Sequence, residues 1–120
     1  MAAVAMYTFA LGFVPVRDMD TAARWYAHVF GCRFAEIIAD GERTIRLYLE
    51  EGDESLILVP TTSSPSDTPP IIFTTNAAKA NTDLGRKSVI TYPIQKDRQG
   101  TNFFEIRDCE GNLLEISEMP

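Results

Sequence analysis

Two helix-capping residues, Asp18 and Asn76, stand 58 positions apart, and the same step sets Leu56 of one closing segment on Leu114 of another. A constant offset across two landmarks is what duplication of one supersecondary unit leaves in a chain. It supports a reading as two similar modules in tandem, each organised around one helix, although side-chain identity between the halves is low and an unrelated α+β domain can echo itself as weakly. With 120 residues in all, both modules belong to a single domain, residues 1–120. A chain of this length buries about two thirds of its unfolded surface, enough for a core without metal or disulfide staples.

The first module reads β-α-β-β-β. Thr8 to Val16 is a strand, with Leu11, Phe13 and Pro15 on one face and Gly12, Val14 and Val16 on the other. Pro15 cannot donate to a ladder and is expected at the strand's end or on an edge. Asp18 then caps a helix whose Met19, Ala22, Ala23, Tyr26, Val29 and Phe30 form one apolar stripe. Gly31 ends it. Three extended segments follow: Arg33 to Ala39, closed by the tight-turn pair Asp40-Gly41; Thr44 to Glu50; and Ser55 to Val59, entered through Gly52-Asp53.

Thr61 to Pro70 is rich in Ser and Pro and reads as connecting chain. The modules therefore run over about 8–60 and 70–118, with a linker at 61–69. The second module repeats the order: strand Ile71 to Thr75, cap Asn76, a short helix Ala77 to Leu84 ending at Gly85, then extended Ser88 to Pro93, Asn102 to Arg107 and Leu113 to Ser117. The last two are joined by the turn cluster Asp108-Cys109-Glu110-Gly111-Asn112.

Charge and cysteine content narrow the function classes. A net charge of −6 repels polyanions, so nucleic acid is not expected as a partner. No apolar run is long enough to span a bilayer, so no membrane partner is expected either. The opening Met1-Ala2-Ala3-Val4-Ala5-Met6 is short and lacks a basic residue, which makes it a poor signal peptide and leaves the cytoplasm as the expected location. Cys32 and Cys109 are too few for a disulfide framework and read as free thiols.

Two stretches resemble the glyoxalase/bleomycin-resistance/extradiol-dioxygenase superfamily, the vicinal oxygen chelate fold. Phe13-Val14-Pro15-Val16-Arg17-Asp18, with Trp25-Tyr26 and Phe30-Gly31 downstream, resembles the family's opening strand, Asp cap and aromatic-Tyr helix. Asp108-Cys109-Glu110-Gly111-Asn112-Leu113-Leu114-Glu115-Ile116 resembles its closing hairpin, usually Asp-Pro-Asp-Gly-Asn and then Glu-Leu; here Cys109 replaces the Pro and Glu110 the second Asp. The resemblance implies an α+β fold in which two βαβββ modules form an incomplete barrel around a cleft. It also implies a homodimer. The helix after Asn76 departs from the family by lacking the aromatic-Tyr pair.

Metal-dependent members of the family place ligands at four positions, which fall here on Leu11, Ile57, Pro70 and Glu115. Leu, Ile and Pro offer no side-chain donor, so no metal and no other cofactor is expected. His28, the single histidine, lies off the apolar stripe of the first helix and is read as solvent-facing.

If Glu115 faces the cleft, strand alternation sends Leu11, Phe13, Ile57, Val59, Ile72 and Thr74 there with it. Arg46, Tyr48, Phe103 and Glu105 join them from the remaining strands. Phe13, Tyr48 and Phe103 are then stacking surfaces, and Arg46, Glu105 and Glu115 orienting charges, in a mostly apolar wall of the kind that holds small molecules. Each of these residues also has a purely structural reading, as core or as one half of an ion pair. The polar, glycine-hinged loop Gln95 to Gly100 borders the cleft in the family. Glu115, in apolar surroundings, is expected to have a raised pKa suited to acid or base work.

Three functions are compatible with these residues. The first is a metal-free protein that binds and sequesters an organic small molecule, an antibiotic or a biosynthetic intermediate. The second is a metal-independent enzyme with Glu115 as general acid or base. The third is a metal-dependent lyase or dioxygenase whose ligands lie elsewhere. The leading expectation is the first.

Overall fold

The structure is a computed structural model that describes residues 6–49, 54–63 and 65–119. The opening residues up to Ala5, the last residue expected for the second extended segment, Glu50, and the turn Gly52-Asp53 lie outside the described residues.

The chain folds into two helices and two sheets that do not close into a barrel. One sheet holds β2 (Gly12–Val16), β5 (Leu56–Pro60), β4 (Glu42–Tyr48) and β3 (Arg33–Ala39), in that spatial order. The other holds β1 (Tyr7–Phe9), β6 (Ile71–Thr74), β10 (Leu113–Glu118), β9 (Asn102–Arg107) and β7 (Ile90–Thr91) in that order, with β8 (Gln95–Lys96) also on β9. In each sheet the opening strand runs parallel to the closing one, β2 to β5 and β6 to β10. The two halves thus share a topology, as the repeated order of elements predicts.

The expected caps are present. Helix α1 (Met19–Phe30) starts at Asp18, whose carboxylate accepts from the Thr21 amide at 3.1 Å, and ends at Gly31 with φ 69°. Helix α2 (Ala77–Arg86) starts at Asn76, which accepts from the Lys79 amide at 3.0 Å. An exposed side chain at such a cap satisfies one of the orphan N–H groups of the first turn. The six apolar residues predicted for the α1 stripe are all buried. Asp40 and Gly41 both take positive φ, 53° and 77°, as a two-residue hairpin turn requires.

The structure corrects four boundaries. The opening strand is broken: Tyr7–Phe9 belongs to one sheet and Gly12–Val16 to the other. The partner changes within two residues, from the Ile71 carbonyl for the Ala10 amide to the Ser55 carbonyl for the Gly12 amide. The sheets crowd together here, because a Cβ on Gly12 would sit 2.8 Å from Cβ of Pro70. Pro15 is inside β2, but β2 is the edge of its sheet, so the missing N–H costs no ladder bond. Helix α2 runs through Gly85 to Arg86, and the left-handed residue that ends this region is Ser88, with φ 64°. The segment expected from Ser88 to Pro93 forms ladder pairs only at Ile90 and Thr91. β4 begins at Glu42, two residues early, because the tight turn lets Glu42 pair at once with Ala39.

One buried cluster takes side chains from both sheets and both helices. A network of hydrogen bonds at the closing turn joins the modules. Asp108 is buried and accepts four hydrogen bonds: from the Tyr26 hydroxyl at 2.7 Å, from the amides of Glu110 and Asn112 at 2.9 Å, and from Asn112 Nδ2 at 3.0 Å. Asn112 Nδ2 also donates to the Pro15 carbonyl at 2.9 Å, while Asn112 Oδ1 accepts from the Ser66 amide. The Glu110 carboxylate accepts from the amides of Arg17 and Asp18 at 2.7 and 2.8 Å, placing negative charge at the positive end of α1. The signature residues of the sequence are therefore a clamp between modules. Burial, and then the charge of Asp108, hold the Tyr26 phenol far above its ordinary pKa, so it remains a donor.

Tyr26→Phe deletes the donor from a charge-assisted bond that is buried at both ends. It should lower unfolding free energy by about 2 kcal/mol. In urea melts the midpoint should fall with the slope unchanged; an unaltered midpoint would show that the clamp contributes nothing.

Candidate functional site

Each sheet packs one face against its helix and core and leaves the other free of helices. Among the described residues the helix-free faces carry the candidate side chains in two groups, one per sheet.

On the first sheet the register sets Phe13, Ile57, Arg46 and Ala35 in one row across four strands. Tyr48 lies one step along β4 on the same face, opposite Arg33. Arg46 is held in place: its Nε donates to Ser55 Oγ at 2.7 Å, and its guanidinium lies 4.8 Å from the centroid of the Tyr48 ring. A guanidinium over an aromatic face at that distance is a cation–π contact. Phe13 is 62% exposed and Leu11 63%, so the apolar end of this face is open.

On the second sheet Ile71, Glu115 and Glu105 form one row, continued by Tyr92, whose amide donates to the Glu105 carbonyl at 2.9 Å. Phe73, Ser117, Phe103 and Gln95 form the next. Glu105 and Glu115 are directly opposite each other, an arrangement that like charges disfavour. Burial raises the Glu115 pKa, and the charges of Glu105 and Asp97 add to the effect. The loop after β8 is a pinned turn: Asp97 Oδ1 accepts from the Gln99 and Thr101 amides at 2.8 and 2.9 Å.

Seven of the eight predicted binding residues, Phe13, Arg46, Tyr48, Ile57, Phe103, Glu105 and Glu115, stand on helix-free faces by this register. Ile72 does not. It pairs with Ile116, is completely buried and belongs to the core, as does Thr74, which is equally buried. The error is one residue of register, which turns every side chain of a strand to its other face. Pro70 is out of phase for the same reason, and Ile71 is the neighbour of Glu115. The repeat itself carried the signal: the step of 58 sets Ile57 on Glu115 but Phe13 on Ile71 and Val14 on Ile72. Sequence reasoning also passed over Tyr92 and Ile90, which border this face from a strand too short to show alternation.

Among the described residues, those at the family's ligand positions do not fit a divalent ion. Leu11, Ile57 and Ile71 bring no donor to Glu115, and no group of three or more His, Cys, Asp or Glu converges among the described residues. His28 is exposed on the last turn of α1. Burial pushes the Cys32 thiol up to about 12; burial and the charges of Asp108 and Glu110 push Cys109 up to about 11. Both stay protonated at neutral pH and are poor nucleophiles.

Residues 3–116 match the sequence profile of the Glyoxalase/Bleomycin resistance protein/Dioxygenase superfamily. The chain belongs to this superfamily. No curated protein matches it in sequence. Among solved structures it is similar to a superfamily member from Sphaerobacter thermophilus DSM 20745, with 16% identity and a TM-score of 0.75 over 93% of this chain and 98% of that one. TnmS3, an antibiotic binding protein from Streptomyces sp. CB03234, aligns at 19% identity and TM-score 0.73 over 98% and 100%. Lactoylglutathione lyase from Agrobacterium tumefaciens aligns at 17% and 0.68 over 91% and 92%. At these identities the likeness is one of fold, and that fold carries both binding proteins and enzymes. No helix of the described residues is long and apolar enough to cross a membrane.

The electrostatics of Glu115 give a testable stability effect. Ionisation of its carboxylate is opposed by burial and by the charges of Glu105 and Asp97, a penalty absent from the unfolded chain. The folded-state pKa is raised, so stability is lost as pH rises through that pKa and regained below the unfolded value of about 4.3. Glu115→Gln should therefore melt above the parent at pH 7, with the gap narrowing as pH falls below the unfolded value of about 4.3. Equal melting temperatures at pH 7 would contradict the assignment.

Proposed function

We propose that the protein binds an organic small molecule on the helix-free faces of its two sheets, without a metal, and sequesters it. The observation that carries this reading is an apolar surface with fixed polar groups in it. Leu11, Phe13, Ile71 and Tyr92 are exposed beside an Arg46 tethered by Ser55 and stacked on Tyr48, and beside the opposed Glu105 and Glu115. Apolar walls with few convergent polar groups are what small-molecule sites are made of. The fold shared with TnmS3, described as antibiotic binding, supports it.

A ligand site buries about 70–90% of its ligand, and faces on which Phe13 is 62% exposed are too open for that alone. We propose that a second copy of the chain covers them, forming a homodimer in which the ligand is enclosed. The raised pKa of Glu115 favours a second reading, a metal-independent enzyme in which this carboxyl moves a proton.

Isothermal titration of the purified chain with bleomycin and a panel of aromatic antibiotics, with sedimentation equilibrium alongside, tests these readings. The expected result is a dimer that binds at least one compound, returns it unchanged, and loses about tenfold in affinity in Phe13→Ala or Tyr48→Ala, the worth of one aromatic contact. Recovery of an altered compound, with turnover lost in Glu115→Gln, would establish the enzyme instead. Binding that is insensitive to both aromatic substitutions would place the ligand elsewhere, and a stoichiometric metal in the purified protein would overturn the metal-free reading.

A further inference from the structure

β3 is the outer strand of its sheet, and among the described residues no strand pairs with its free edge. It matches β4 residue for residue from Arg33 to Ala39, with no bulge and no proline. Long, regular edges are templates for another strand, and proteins ordinarily shorten, bend or block them. The other edges here are protected in that way: β2 carries Pro15, and β1 and β7 are only 3 and 2 residues long. On β3, Phe34 is 47% exposed, Ile37 41% and Ile38 67%. The helix-free face accounts for Ile37 alone, which shares it with Arg46. Phe34 and Ile38 lie on the opposite face, the one that Ile45 and Leu47 of β4 turn to the core.

The hairpin turn fixes which backbone groups of β3 are unused. In a two-residue hairpin the flanking pair, here Ala39 and Glu42, exchange both of their bonds, and bonded pairs then alternate along the ladder. Arg33, Ala35, Ile37 and Ala39 are therefore bonded to β4. The N–H and C=O groups of Phe34, Glu36 and Ile38 point away from the sheet along its edge. These three residues have the same polarity read in either direction: an apolar side chain, a carboxylate, an apolar side chain. An antiparallel copy of β3 thus meets it in full register. Glu36 falls on the two-fold axis, and Phe34 stands opposite Ile38 of the second copy. Every outward amide finds a carbonyl. Each Glu36 carboxylate is already held by its own Arg43 at 2.5 Å, so two ion pairs meet at the axis in place of two bare carboxylates. A self-complementary patch of this kind is what a two-fold contact requires.

We infer that β3 is a self-association edge, at which two copies of the chain join antiparallel through Phe34, Glu36 and Ile38 into one continuous sheet. The contact is side by side, so it is separate from the covering of the helix-free faces and compatible with it. A single strand pair buries little surface, which makes the contact weak and dependent on concentration.

Sedimentation of the full chain at micromolar and millimolar concentration tests it. The parent's mass should at least double between the two, whichever species is present in dilute solution. Ile38→Lys puts a charge on the edge without touching the core, and should keep the dilute mass at both concentrations. Phe34→Glu is a second variant with the same expected direction. In a Cys109→Ser background, which removes the exposed thiol, Glu36→Cys should give a disulfide-linked dimer on mild oxidation. Bonded antiparallel pairs bring Cα atoms to about 5.5 Å, within a disulfide's reach. Arg33→Cys should not cross-link, because it stands opposite Ala39 of the second copy. The inference is overturned if the parent's mass does not rise, if it rises equally in both edge variants, or if Glu36→Cys cross-links no better than Arg33→Cys.

Discussion

The fold depends on a buried carboxylate, Asp108, that joins two modules of shared topology. Its oxygens take the Tyr26 hydroxyl from the first module and three donors from its own turn. Burying a carboxylate is costly unless every lone pair finds a donor, and here four do. Asn112 and Glu110 extend the junction to the Pro15 carbonyl and to the first amides of α1. A single turn of the second module thus fixes the end of β2, the start of α1 and the ring of Tyr26. Removing the carboxylate would strand several of these groups at once.

The same junction accounts for how the surfaces are divided. The opening strand changes sheets where Gly12 and Pro70 lie close together, and the helix-side faces of both sheets contribute to one core. The opposite faces are left without a covering helix. Alternation along each strand then does two jobs with one chain: Val14, Leu56, Leu58 and Ile45 fill the core, while Phe13, Ile57 and Arg46 between them face outward. Apolar side chains on the outward face gain nothing from folding alone. Their presence, with Arg46 and Glu115 set among them, is the physical basis for reading these faces as a place where something organic is held. At the family's metal positions Leu11, Ile57 and Ile71 present apolar side chains in place of donors.

Local signals in the sequence specified local structure well. The caps at Asp18 and Asn76, the stop at Gly31, the Asp40-Gly41 turn and the buried stripe of α1 all depend on residues within one or two turns of each other, and each is as the sequence implied. The closing turn and the aromatic-Tyr helix were recognisable as motifs and identified the superfamily. Their joint role was not legible, because Tyr26 and Asp108 are 82 residues apart and neither alone names its partner.

What the sequence determined by itself is the pair of repeated modules, the α+β class and most of the residues on the open faces, since periodicity and a constant offset need no knowledge of distant contacts. The phase of β6, and with it the move of Ile72 from site to core, was present in the offset of 58 but is fixed by strand pairing; tertiary structure alone decided the split of the first strand between two sheets and the isolation of the Tyr7 hydroxyl. Each of these turns on which strand lies beside which. Strand pairing is a long-range choice, and a one-residue shift in it leaves the local pattern intact while reversing every side chain it carries.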